Sequence, residues 1–186
     1  ASAYVIRGTD IPRLRNMEIS GPPMRHHAKS NLQSRLLADR DIVIEVSGGS
    51  KDQPTGRVLL VTQKLLDAFD DDVMCASFCK RITVNQEVIL PEILIAHINR
   101  IYDDRSITQY EVQSTGIKNF KFEQCLDDEK IALPEDYALQ EQFEKYSSPM
   151  ILEAQSLGNS NQNLRKTRDL LLPKLISGQL DVEELD

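Results

Sequence analysis

NQNLRKTRDLLLPKLISGQLDV, residues 161–182, reads as a helix whose leucines find no cover within the helix itself. Counting back in sevens from Leu171 gives Leu164, Leu157, Met150 and Phe143, an apolar residue at every step. A seven-residue repeat held over about four heptads predicts packing of helix on helix. The companion track, Ser147, Ala154, Asn161, Arg168 and Leu175, is mostly polar. The seam is therefore half built and awaits a partner. The sequence predicts a helix from Pro134 to Ile176, about 64 Å long at a rise of 1.5 Å per residue. Pro149 is expected to kink it, Gly158-Asn159 to loosen it, and Gly178 to end it. The expected fold is α+β: a globular mixed body over residues 1–133 followed by a long coiled-coil-type helix over 134–186.

A length of 186 residues suffices for one ordinary domain plus such an extension. Trp is absent and aromatics are 5% of the chain, so Ile, Leu and Val must build the core. No apolar run approaches the roughly 18–20 residues of a membrane span. The start, ASAYVIRGTD, lacks the pattern of a signal peptide and reads as a strand entered midway, so a fragment of a longer protein is expected. Cys75, Cys79 and Cys125 show no CxxC spacing and are expected to be free thiols in a reducing, cytoplasmic setting.

The net charge of −7 argues against a nucleic-acid binder if taken whole. Its distribution says more. Residues 1–60 carry nine Lys/Arg against six Asp/Glu, whereas residues 121–186 carry seven against fourteen. The first third is thus free to present a basic face.

Along that third, Ala3–Arg7 reads as a short strand, and residues 11–35, with Gly21-Pro22-Pro23, as a long irregular excursion. Asp41–Val46 and Arg57–Thr62 are β-rich segments joined by a Gly-rich stretch, a predicted hairpin. Ala76–Val84 reads as a further strand, and Pro91–Tyr102 as an amphipathic helix with Pro in its first turn. Ser114-Thr115-Gly116 is expected to break a helical run, and Lys130–Leu133 to form a last short strand.

Motifs for chemistry are sparse. Gly48-Gly49 is followed by a strand, not by the Lys-Ser/Thr and helix of a phosphate loop. His26-His27 are adjacent and lack partners at metal-ligand spacing. Asp67 with Asp70–Asp72 lacks the alternation of a calcium loop. Asp128-Glu129-Lys130 fits the acidic-x-Lys pattern of a magnesium nuclease, without a further carboxylate nearby to complete it. No catalytic residue, metal ligand or cofactor is expected, and the chain reads as a binding module.

LRKTRDLLLPKLISGQLDV, residues 164–182, closely resembles the C-terminal end of type I restriction-modification specificity subunits. YVIRGTDI (4–11) resembles the strand entering a target recognition domain of that family, DIVIEVSGGSKDQPTGRVLLV (41–61) its hairpin, and STGIKNFKFEQCLDDEKIALP (114–134) its exit into a conserved helix. The resemblance implies a DNA-binding scaffold that reads half of a bipartite target. It also implies helices that set the spacing and hold methyltransferase and restriction subunits, which carry the chemistry. One recognition domain and one helix are present here, which implies a C-terminal half or a half-length subunit that pairs with itself.

Direct readout needs side chains at base edges, with cations and N–H groups on phosphates. The candidate DNA-binding residues are Arg13, Arg15, Arg25, His26, Lys29, Asn31 and Gln33 in the excursion, and Ser47, Ser50, Lys51 and Arg57 around the hairpin. Ser114, Thr115, Lys118 and Asn119 form a second polar loop. The helix-partner interface is assigned to Phe143, Met150, Leu157, Asn161, Leu164, Arg168, Leu171 and Leu175. Expected partners are double-stranded DNA, the methyltransferase and restriction subunits, and a second recognition half or a second copy of this chain. The rival readings are a coiled-coil adaptor without DNA contact and a small nuclease built on Asp128 and Lys130.

Overall fold

A computed structural model describes residues 1–48, 52–114 and 117–179, at Ser114 the backbone only. The first stretch holds β1 (Ser2–Ile6), α1 (Ile11–Leu14), β2 (Met24–His26), α2 (Lys29–Arg35), β3 (Ile42–Glu45) and β4 (Ser47–Gly48). Then come β5 (Val58–Leu60), α3 (Gln63–Leu66), β6 (Val73–Cys75), β7 (Cys79–Ile82), α4 (Pro91–Asp103) and β8 (Glu111–Ser114). The last stretch holds β9 (Ile117–Phe120), α5 (Phe122–Asp128) and α6 (Tyr137–Ile176). The architecture is mixed α+β, with three small sheets and a long C-terminal helix.

The sheets have the orders β2-β1-β6, β5-β3-β7 and β4-β9-β8. β1 is antiparallel to β2 and parallel to β6, while both other sheets are antiparallel throughout. The predicted hairpin is present, with Ile42 opposite Leu60 and Ile44 opposite Val58. β3 is buried on both faces, which is why its first three residues are Ile, Val and Ile without alternation. Val43 faces one core with Ile6, Ile11, Leu14 and Leu59. Ile42 and Ile44 face the other, against Ile95, Ile98 and Ile101 of α4 and Phe120 of β9.

α6 begins at Asp136, whose carboxylate accepts the Ala138 N–H at 2.9 Å. It runs unbroken across Pro149, where the sequence predicts a kink, and across Gly158. It ends as expected at Gly178, where φ is +71°. There Gly178 N–H bonds Leu175 O at 3.2 Å and Gln179 N–H bonds Lys174 O at 2.8 Å, the paired closure of a Schellman cap.

The face α6 turns to the body is polar. Gln140 accepts from Leu90 N–H at 3.2 Å and donates to Val88 O at 3.1 Å. Ser148 donates to the buried carboxylate of Glu92 at 2.7 Å, and Arg40 links Glu92 to Glu144. Gln155, 2% exposed, accepts from the Thr62 hydroxyl at 3.0 Å. Gly158 lies so close to Asn16 that a Cβ there would overlap the Asn16 carbonyl. Only Ile151 reaches the apolar core from this face.

Three expectations need correction. Residues 11–35 are not irregular throughout: α1, β2 and α2 punctuate them, because Ile11, Leu14 and Leu32 each find a core to enter. Glu111–Ser114 and Ile117–Phe120 pair as antiparallel strands β8 and β9 in place of a helical run, with Phe120 reaching the core beside Tyr110, while Thr115 and Gly116 lie outside the described residues. Lys130–Leu133 is not a strand and runs as an irregular connector between α5 and α6.

Candidate nucleic-acid interface

The cations that sequence reading assigns to DNA fall into two groups. Three have partners inside the protein. Arg57 forms a two-pronged pair with Glu45, at 2.8 and 2.6 Å, with only 11% of its side chain exposed. The hydrogen bonds to Glu45 raise its pKa further. Arg15 donates twice to Val58 O and once to Asn99, tying α1 to β5 and α4. Lys118 pairs with Glu111 at 3.1 Å, both largely covered. The geometry gives these three a structural job, and the carboxylates beside Arg57 and Lys118 leave little of their charge free for phosphate.

The second group is outward. Arg25 and His26 lie on the edge strand β2, and Lys29, Asn31 and Gln33 follow on α2, all exposed. Arg13 is exposed on α1. These residues share one short stretch of chain.

Ser47 and Asn119, assigned to separate loops by sequence, are brought together. β4 pairs with β9, so Ser47 stands opposite Asn119 and its hydroxyl meets the Asn119 side-chain oxygen at 2.9 Å. Ser50, Lys51 and Thr115, and the side chain of Ser114, lie outside the described residues.

β7 carries cations that sequence reading missed. Lys80 and Arg81 are exposed on this edge strand, with the Lys80 ammonium 5.7 Å from the Phe122 ring. Arg81 donates to Leu36 O at the end of α2, 2.6 Å away. Phe78, at the turn before β7, accepts backbone bonds from Val46 and Ser47. Backbone and side-chain bonds thus run from α2 through β7 and β4 to β9. The available signal was the adjacent pair of cations in CKRI, read only as part of a strand.

The nuclease candidates do not assemble. Asp128 and Lys130 are exposed, while Glu129 between them turns inward. It accepts from Tyr110 at 2.7 Å and from the His97 ring at 2.8 Å. Burial pushes the Glu129 carboxyl up, but these hydrogen bonds outweigh it and hold its pKa below the ordinary value. Among the described residues, no three His, Cys, Asp or Glu side chains group as metal ligands. The thiols are free; burial pushes Cys79 up to about 12 and Cys125 up to about 11. No helix among the described residues is long and apolar enough to cross a membrane.

On the seam, Phe143, Met150, Leu157, Leu164 and Leu171 are all exposed, between 42% and 71%. Asn161, Arg168 and Leu175 are exposed too, Arg168 pairing with its neighbour Asp169. No protein-family model matches the chain, and no curated protein matches it either.

Proposed function

We propose that this chain is a DNA-specificity module of the type I restriction-modification kind, one recognition body carried on a docking helix, without catalysis of its own. The observation that carries the reading is the orientation of α6. It binds its own body through Gln140, Ser148, Gln155 and Gly158 and leaves every residue of its apolar seam uncovered. A helix that satisfied itself would do the reverse. The uncovered stripe suits a second such helix, from a second copy or another recognition half, and the methyltransferase subunits would gather on that pair. Arg13, Arg25, His26, Lys29, Asn31 and Gln33 supply exposed donors and acceptors for a duplex.

The coiled-coil adaptor keeps one observation in its favour: Arg15, Arg57 and Lys118 are engaged internally. A gel-shift titration on duplex DNA across salt concentrations separates the two. The specificity reading expects affinity to fall steeply with salt as phosphate contacts release counterions. A flat response with intact self-association would favour the adaptor.

A further inference from the structure

Phe78 is the most exposed large apolar side chain on the body, at 63%, among the described residues before α6. A lone exposed apolar residue is ordinary on a protein surface; here its setting is not. The Ala76–Cys79 turn is closed by Cys79 N–H on Ala76 O at 3.0 Å. The Phe78 carbonyl accepts both Val46 N–H, at 2.9 Å, and Ser47 N–H, at 3.3 Å. The ring is thus presented from a pinned backbone and gives up little freedom on binding. Its immediate company is polar: Ser77 beside it, Ser47 on its carbonyl with Asn119 beyond, and Lys80 and Arg81 on the strand that follows.

This company decides the kind of partner. An aromatic anchor for a protein surface sits in a well-packed patch that excludes water. A single exposed ring with Ser77 before it and Lys80 two residues on instead suits a duplex, with phosphates at the rim and base edges within. At those edges the major groove offers one apolar group, the 5-methyl of thymine. We propose that Phe78 packs on a thymine methyl and so helps to specify an A·T pair, with Lys80, on the same face of the strand two residues on, at a flanking phosphate. The inference rests on the DNA-specificity reading above.

The test begins with the full chain selecting from a pool of random duplexes, repeated with Phe78→Ala and Phe78→Leu. In the selected duplex each thymine is then replaced singly by deoxyuridine, which removes only the methyl. The wild-type chain is expected to lose about four-fold in affinity at one position, the worth of one buried methyl. Phe78→Ala should bind the thymine and deoxyuridine duplexes alike, and Phe78→Leu should keep part of the difference. Thermal melts should show all three equally folded, since the ring supports no core. A selected motif in which no deoxyuridine matters, or in which wild type and Phe78→Ala lose equally, overturns the inference and leaves the DNA reading standing. Failure of the wild-type chain to select any sequence or respond to salt overturns both.

Discussion

A carboxylate in a strand whose other side chains are Ile, Val and Ile has to find a cation, and Glu45 finds Arg57. Removing one partner of a covered pair leaves the other charge stranded, at a cost of about 3–5 kcal/mol. Arg57→Ala is therefore expected to lower Tm by about 10 °C in a thermal melt. Arg25→Ala, on an exposed strand, should leave Tm unchanged and weaken only DNA binding, by about 1–3 kcal/mol on a cognate site if it reads a base. Equal Tm for both variants would break this assignment. The Glu in DIVIEV was the available signal for Arg57, because a buried charge demands a partner. Nothing in one sequence says that the partner lies twelve residues on and not in solvent. The same blindness applies to Arg15, whose acceptors Val58 and Asn99 are distant in the chain. Gly158 is a second residue with a hidden role: Gly158→Ala should disturb the seating of α6 on Asn16, visible as faster amide exchange over residues 151–162.

Elements with a long period were legible, and short ones were not. α6 announced itself through its long repeat and a terminal Gly, and the helix runs and ends there as the sequence implies, while the Asp136 cap at its start went unread. β6 is three residues beside Asp70–Asp72, too short for any alternation to register, yet it pairs in parallel with β1 and closes the first sheet. Lys130–Leu133 looks like a strand because Ile, Ala and Leu follow one another, but the segment exists to carry the chain from α5 to α6. Its start is fastened by Glu129. Because the folded pKa of Glu129 lies below its usual value of 4.5, its contribution is complete at neutral pH and fades as pH falls through the folded pKa. Glu129→Gln is expected to lower Tm by a few degrees at pH 7, about 1–2 kcal/mol, with the gap closing as pH falls below 4.5 and through the folded pKa. A gap that stays constant with pH would mean that the carboxylate charge contributes nothing there. For α6 itself, Leu164→Asp with Leu171→Asp should convert a self-associating chain into a folded monomer in sedimentation at tens of micromolar. A wild-type monomer at that concentration would assign the seam to a different chain.

At the scale of the whole molecule, the protein divides its charge: exposed cations on α1, β2, α2 and β7, and acid on the approach to α6, where residues 121–136 carry two Lys/Arg against six Asp/Glu. If Arg13, Arg25, Lys29, Lys80 and Arg81 all meet phosphate, the logarithm of affinity should fall with the logarithm of salt with a slope near −4 to −5. A slope much steeper than that would bring in Arg15, which bonds only neutral acceptors, or draw Arg57 or Lys118 from its carboxylate. The two sides of α6 also differ in the water they hold. Lifting the helix from its own body would wet mostly amides, hydroxyls and an ion cluster, surfaces whose exposure changes heat capacity little or lowers it. Covering Phe143, Met150, Leu157, Leu164 and Leu171 removes apolar surface, so association through the seam carries a negative heat-capacity change. Its measured enthalpy should become steadily more exothermic on warming, while the attachment of rod to body stays almost indifferent to temperature.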